Sequence, residues 1–155
     1  MKNFKKIMVA IDFSDYSPKI VKYARDLAEN LRAELIFVNI INQRDINMVK
    51  HVTIYTDKIS VKDYVDGLVQ DRTEQMQKLL TEAKCTQIPN RFTIKKGVPF
   101  VKLIETAKEE KVDMVVMGTR GRGSVAGILF GSQAEKMFHH CPVPLLSIRE
   151  KDDMD

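Results

Sequence analysis

The feature that most constrains this fold is a regular alternation between short strand-like runs and longer amphipathic segments. The segments between the runs carry apolar residues at helical spacing. Strands alternating with helices predict right-handed crossovers and a parallel sheet with helices on both faces. We therefore predict an α/β fold with one doubly wound, five-stranded, Rossmann-like sheet. The predicted strands cover residues 7–11, 35–40, 91–94, 113–117 and 145–148.

Two helix starts are marked by residues that commonly cap free backbone N–H groups. Ser17 stands before Pro18, which predicts an N-cap followed by a proline at the first helical position. Ser60 begins a capping pattern that predicts a long helix over residues 60–83. No linker-like stretch divides the chain, so we predict one domain over residues 1–149 and an acidic tail at 150–155.

Residues 41–59 fit this scheme less simply. The segment is longer than the usual connection of about 4 to 6 residues. It also carries apolar side chains, including Val52, Ile54 and Tyr55, which an idle loop would not need. It is a lid over the site, an extension of the long helix or a partner surface, and the sequence leaves all three open.

Composition and charge exclude several classes of protein. The 155 residues contain no apolar run of about 18 residues and no leader-like start, so we expect neither a membrane span nor secretion. Two cysteines are too few for a disulfide scaffold and predict a reducing, cytoplasmic environment. The net charge of +4 is spread along the chain without interleaved aromatic residues, so we expect no nucleic-acid partner.

A glycine-rich stretch after the fourth strand is the most informative motif. Five of the seven glycines lie in residues 118–131. Glycine lets backbone N–H groups approach a ligand closely, and consecutive N–H groups can form a nest for anions. Ser132 and Glu135 form a predicted capping box, so a helix N-terminus follows the loop. Such a terminus suits phosphate, although a ligand-free crossover is the alternative.

Individual side chains near this loop have two interpretations each. Ser132 caps the helix or binds a phosphate oxygen. Asp12, at the end of the first strand, caps the following turn or meets Mg²⁺ or a sugar hydroxyl beside phosphates. Arg120 and Arg122 pair with phosphate charge or lie in solvent. The neighbouring His139 and His140 point in different directions on a helix, so favourable charge at its end is a better interpretation than a metal site.

The motifs together resemble the universal stress protein family. The resemblance is carried by the spacing Gly118-x2-Gly121-x9-Gly131-Ser132, by the opening VAIDFS at residues 9–14 and by the closing CPVPLLSI at residues 141–148. It covers nearly the whole chain. A P-loop pattern and an early Gly-x-Gly-x-x-Gly are both absent from the sequence.

The resemblance implies where an adenine nucleotide would lie. Val38 matches the position on the second strand whose backbone meets the adenine ring, and Met117 would line the base pocket. Asp12 matches the acidic residue near the ribose, the phosphates and the metal. The positions that match the ribose- and phosphate-binding residues are Gly118, Gly121, Gly131 and Ser132.

Family members with this signature usually bind ATP and often form dimers through the last strand. The resemblance therefore implies ATP as ligand, Mg²⁺ held by Asp12 through the phosphates, and a homodimer through Leu145–Ile148. It favours a nucleotide-dependent regulatory protein with an unidentified protein partner. Two alternatives stay open: a slow ATPase, for which no catalytic Lys follows the glycines, and a nucleotide-independent interaction module.

Overall fold

The computed structural model describes residues 3–120 and 130–149 of the chain. Within them, five strands form one sheet in the order β3-β2-β1-β4-β5, and every neighbouring pair is parallel. The predicted fold class is confirmed. The strands are β1 (Lys6–Ala10), β2 (Glu34–Asn42), β3 (Asn90–Gly97), β4 (Met114–Gly118) and β5 (Leu145–Ile148).

Helices connect the strands and cover both faces of the sheet. The helices are α1 (Ser17–Leu31), α2 (Gln43–Thr53), α3 (Val61–Glu82), α4 (Pro99–Glu109) and α5 (Ser132–His140). One face packs on α1 and α3 through strand residues such as Ile7, Val9 and Phe37. The other face packs on α4 and α5 through Met8, whose side chain points away from those of its two neighbours.

The first predicted helix cap is wrong, and the second is confirmed. The N-cap of α1 is Tyr16, and Ser17 is already helical. The Ser17 hydroxyl is buried and donates to Asp12, so a tertiary partner takes it away from the helix N–H groups. At α3, the Ser60 hydroxyl accepts from the N–H of Asp63, as predicted.

Residues 41–59 do not extend the long helix. Strand β2 continues to Asn42, whose side chain caps a separate helix, α2. This helix packs through Ile46 against Val65 of α3. The segment after it exposes Tyr55, which is 88% accessible. The lid and partner-surface interpretations of this segment therefore stay predictions.

The sheet order places a topological switch point between β1 and β4. From β1 the chain winds outward to β2 and β3, and it then crosses to β4 and β5 on the other side. The loops that follow the carboxyl ends of β1 and β4 consequently diverge and leave a crevice.

A search of the described helices finds no segment with the length and hydropathy of a membrane span. The predicted tail at 150–155 lies outside the described residues.

Candidate functional site

A cavity of about 440 Å³ opens at the switch point, at the carboxyl edge of the sheet. Its volume falls in the usual range for small-molecule sites, roughly 300 to 1,000 Å³. Its wall includes seven of the nine residues that the sequence singled out for a nucleotide site. These are Asp12, Val38, Met117, Gly118, Arg120, Gly131 and Ser132. The other two, Gly121 and Arg122, lie outside the described residues.

One backbone hydrogen bond joins the two ends of the glycine-rich stretch, and a second ties its first end to β5. The N–H of Gly131 donates to the carbonyl of Thr119 at 2.7 Å, and the N–H of Thr119 donates to the carbonyl of Ile148 in β5 at 3.1 Å. Gly118 and Gly131 are therefore held near one another although twelve residues separate them in sequence. The start of α5 is fixed beside the end of β4 as a result.

Helix α5 begins at this closure, with Gly131 as its N-cap and Ser132 as its first residue. Because the N-cap is a glycine and Ser132 already lies inside the helix, the predicted capping box between Ser132 and Glu135 is wrong. Instead, the N–H of Glu135 donates to the carbonyl of Gly131 at 3.0 Å. The first N–H groups of a helix lack partners within the helix and carry its positive dipole end. This end of the cavity can therefore attract an anion.

Gly118 is required by packing. Its φ is not in the left-handed region, but a Cβ atom would lie 2.7 Å from Cδ1 of Ile20 and 3.2 Å from the carbonyl oxygen of Arg120. Ile20 belongs to the core under α1 and is 4% exposed. Glycine thus lets the end of β4 lie directly on α1 and keeps this wall of the cavity free of a side chain.

Asp12 follows β1 and combines a structural contact with a place in the cavity wall. Its Oδ1 accepts from the N–H of Ser14 at 2.9 Å and from the hydroxyl of Ser17 at 3.3 Å. Phe13, which lies between Asp12 and Ser14, has a φ of 58°, which is uncommon for a residue other than glycine. The turn-capping interpretation of Asp12 is confirmed, and this capped turn holds the carboxylate at the cavity.

In β2, the backbone N–H and C=O groups of every second residue point towards β1. Glu34 donates its N–H towards β1, whereas Leu35 donates towards the β3 side. Val38 accepts from the N–H of Ile11 at 2.9 Å, so its carbonyl is engaged within the sheet. Two residues further, the same alternation directs the N–H and C=O of Ile40 past the end of β1. Ile40 lines the cavity at this point.

A cationic side chain that sequence reasoning missed lies beside Ile40. Arg72 of α3 donates from Nη1 to Oδ1 of Asn39 at 2.7 Å and to the carbonyl of Ile40 at 3.2 Å. Asn39 is 2% exposed and donates from Nδ2 to the carbonyl of Ile11 at 2.7 Å. The amide of Asn39 therefore connects β1, β2 and α3 at the cavity. Its polar position in an otherwise apolar strand was the available sequence signal.

The charges around the cavity favour an anionic ligand. Three guanidinium groups line it, from Arg44, Arg72 and Arg120, against the carboxylates of Asp12 and Asp45. Nε of Arg44 lies 3.7 Å from Oδ1 of Asp45, and the two side chains are 77% and 43% exposed. Arginine binds phosphate and carboxylate oxygens through paired N–H donors.

Two buried hydroxyl groups next to the site lack hydrogen-bond partners among the described residues. They belong to Ser14, two residues after Asp12, and to Thr119, directly after Gly118. A buried hydroxyl without a partner costs about 1 to 3 kcal/mol. Both therefore have unused capacity for a water molecule or a polar ligand group, and both follow strands that end at the switch point.

The described side chains form no metal centre on their own. Within residues 3–120 and 130–149, no group of three or more His, Cys, Asp or Glu residues could hold a metal ion. His139 and His140 lie in the last turn of α5, as the favourable-charge interpretation expects. Asp12 fits Mg²⁺ only in combination with other oxygens, because Mg²⁺ commonly takes one or two carboxylates plus substrate phosphates and water.

A larger groove of about 830 Å³ lies at the opposite, amino-terminal edge of the sheet. Its wall includes Lys5, Arg32 and Lys84, but it contains neither a glycine nor the start of an α-helix. In open parallel sheets, ligands bind at the carboxyl ends of the strands. The smaller cavity is therefore the candidate site.

Comparison with known proteins shows the family of this chain. A family model described as "Universal stress protein family" matches residues 3–149. The chain belongs to this family. Among curated universal stress proteins, one from Thermus aquaticus is 29% identical over 148 residues, which cover 94% of this chain and 99% of that protein.

Solved structures of universal stress proteins share the fold. The structure of MJ0577 from Methanocaldococcus jannaschii has a TM-score of 0.81 and 22% identity, and the match covers 98% of this chain and all of that one. A universal stress protein in complex with cAMP has a TM-score of 0.60 and 22% identity, over 97% of this chain and all of that one. The Archaeoglobus fulgidus protein in complex with dAMP has a TM-score of 0.63 and 15% identity, over 95% and 99%.

Proposed function

We propose that this universal stress protein binds ATP with Mg²⁺ in the cavity at the switch point and acts as a nucleotide-dependent regulatory protein in a stress response. The observation that carries the proposal is the hydrogen bond between Gly131 and Thr119, because it holds the start of α5, where the N-cap is a glycine, against the end of β4. That arrangement offers helix N–H groups to phosphates at one end of a cavity of suitable size. The complexes of family structures with cAMP and dAMP support an adenine nucleotide as ligand.

The proposed ligand spans the cavity from α5 to β2. Its phosphates lie at Gly131 and Ser132, with Gly118 below the ribose. Asp12 contacts Mg²⁺ or a ribose hydroxyl, since a bare carboxylate beside phosphates would repel them. Arg120 neutralises phosphate charge.

The base lies at the β2 end of the same cavity. The side chains of Val38 and Met117 pack against its ring. The N–H and C=O of Ile40 meet its polar edge, because the carbonyl of Val38 already accepts from Ile11. This differs from the sequence-based assignment, which gave the backbone contact to Val38.

A nucleotide-independent interaction module is the second candidate. It is favoured by the exposed apolar side chains after α2, where Ile54 is 73% and Tyr55 is 88% accessible.

The unpaired edge of β5 supports the proposed homodimer, since Leu146 there is 40% exposed and no strand in the described part of the chain pairs with that edge. Both cysteines are free thiols, which is compatible with the proposed cytoplasmic location.

Titration of purified protein with Mg-ATP in a calorimeter tests the proposal, with Gly131→Val as the matched variant. Gly131 has φ −70° and ψ 162°, which any residue adopts, so valine should leave the fold intact. Its side chain would occupy the phosphate position and should abolish binding. A wild-type protein that releases no adenine nucleotide on denaturation and gives no heat with Mg-ATP would favour the interaction module instead.

A further inference from the structure

The groove at the amino-terminal edge of the sheet is lined mainly by cationic side chains. Its wall carries five of them against two carboxylates, those of Glu29 and Glu34. The cations are Lys5, Lys6, Arg25, Arg32 and Lys84. We propose that this groove binds an acidic segment of a partner protein, with several carboxylates spaced along an extended chain. The inference goes beyond the proposed function, because the groove and the nucleotide cavity lie at opposite edges of the sheet.

Three segments line the groove, namely the start of β1, the connection from α1 to β2 and the connection from α3 to β3. Backbone hydrogen bonds hold these segments together at the edge of the sheet. The N–H of Glu34 donates to the carbonyl of Lys5, and the N–H of Leu35 donates to the carbonyl of Pro89, both at 2.9 Å. Cations from distant parts of the sequence are therefore brought to one groove by the fold.

Three of the five cations have no partner to neutralise them. Arg25 bonds Asp26 and the carbonyl of Ala83, so its guanidinium is engaged. Nζ of Lys6 donates to the carbonyl of Glu110 at 3.3 Å. In the part of the chain that the structure describes, no hydrogen bond or salt bridge engages the other three side chains, those of Lys5, Arg32 and Lys84. This charge favours a ligand that carries several carboxylates.

The rest of the wall favours a peptide over a phosphate-rich polymer. None of the described residues that line the groove is aromatic, so nucleobases lack a stacking partner. Helices α1 and α3 end at this edge, and their negative dipole ends oppose a compact phosphate group. Small or apolar residues also share the wall and offer contact to an apolar side chain, namely Ala28, Ala33, Ile88 and Pro89. An acidic peptide with apolar residues between its carboxylates fits these features.

The cations at the two helix ends have a matched control outside the groove. Arg32 and Lys84 have φ angles of 52° and 58°, and Lys111, which follows α4, has a φ of 52°. All three side chains are exposed, but Lys111 does not line the groove. Glycine adopts this left-handed conformation most readily, so glycine at any of the three positions should leave the fold intact. Comparison of the three variants therefore isolates the contribution of the groove.

Fluorescence anisotropy with a labelled peptide of glutamates interrupted by leucines tests the proposal. We expect the wild type to bind this peptide at low salt, with an affinity that falls as salt is added. A peptide with glutamine in place of glutamate should not bind. Arg32→Gly and Lys84→Gly should each weaken binding about threefold, and the double variant about tenfold, because each loses one partly screened charge interaction. Lys111→Gly should change the Kd by less than about twofold.

Charge reversal provides a second pair of variants if a glycine variant does not fold. Lys84→Glu should weaken binding more than Lys84→Gly does, because it adds repulsion at the groove. Lys111→Glu should have a smaller effect than Lys84→Glu. Equal losses at Lys84 and Lys111 would indicate general attraction to a basic surface and would overturn the inference. A wild type that binds inorganic polyphosphate but not the glutamate–leucine peptide would overturn it as well, and neither result bears on ATP binding.

Discussion

The side chain of Gln133 in α5 accepts a hydrogen bond from the backbone N–H of Phe100 in α4, with 2.9 Å between Oε1 and N. Phe100 is the second residue of α4, and the N-cap of that helix, Val98, has no capping side chain. Gln133 therefore supplies a cap from a different helix. Because Pro99 and Gln133 both line the cavity, this contact joins two helix starts at the candidate site.

Loss of that cap should destabilise the protein. We expect Gln133→Ala to lower the free energy of unfolding by about 1 kcal/mol, the usual cost of losing a capping side chain. Gln133→Glu keeps an acceptor at the same place and should cost less. Urea denaturation measures both. Gln70→Ala, on the exposed surface of α3, is the control and should change stability by less than about 0.5 kcal/mol. Equal losses in the Gln70 and Gln133 alanine variants would contradict the capping role.

Replacement of Asp12 by Asn should separate its structural contact from its metal contact. Asparagine keeps an oxygen that can accept from Ser14 and Ser17, so the fold should persist. Affinity for ATP with Mg²⁺ should fall about tenfold. In EDTA the variant should bind ATP at least as well as the wild type, because the carboxylate no longer repels phosphates. Calorimetry in both buffers checks this, with the exposed Asp15→Asn as control. Equal losses with and without Mg²⁺ would argue against a metal contact.

The contact between Gly118 and Ile20 predicts a coupled pair of mutations. Gly118→Ala adds a Cβ 2.7 Å from Cδ1 of Ile20 and should cost about 1 to 3 kcal/mol through overpacking. Ile20→Val removes that terminal methyl group and should relieve part of the clash. The double variant should therefore be more stable than the sum of the single effects by at least about 0.5 kcal/mol. Additive effects in denaturant unfolding would show that the backbone of Arg120, and not Ile20, limits this position.

Burial predicts the pH dependence of one thiol. Burial raises the pKa of Cys85, and the nearby Arg25 offsets only part of that effect. The folded protein therefore keeps this proton more tightly than the unfolded chain, and stability should fall as the pH rises above about 9. In a Cys141→Ala background, the stability advantage of Cys85 over Cys85→Ala should shrink between pH 8 and pH 10. An advantage that stays constant over this range would contradict the prediction.

Local sequence patterns were sufficient for most of the framework. All five strands were predicted, and the signal was strongest for the central strands β1, β2 and β4, because a parallel strand that is covered on both faces must be apolar along its length. Ser60 predicted the start of α3 because its hydroxyl bonds a backbone group only three residues away. The spacing of Gly118 and Gly131 likewise predicted where the cavity would be found.

Contacts between distant segments were beyond such patterns. Arg72 meets Asn39 across 33 residues, and Gln133 meets Phe100 across the same separation. Ser17 and Ser132 both look like helix caps in sequence. The structure instead gives the Ser17 hydroxyl to Asp12 and places Ser132 inside its helix. Helix α2 was also missed, because its N-cap Asn42 is the last residue of a strand.

The sequence by itself therefore determined the alternation of strands and helices, and with it the sheet and the edge at which a ligand would bind. Periodic burial and short-range capping are encoded within a few consecutive residues, which is why they are readable without a fold. Only the tertiary structure decided which polar groups meet at that edge. Those partners are chosen by the crossing of β2 with α3 and of α4 with α5, and a hydrogen bond between remote segments exists only after the core has brought them together.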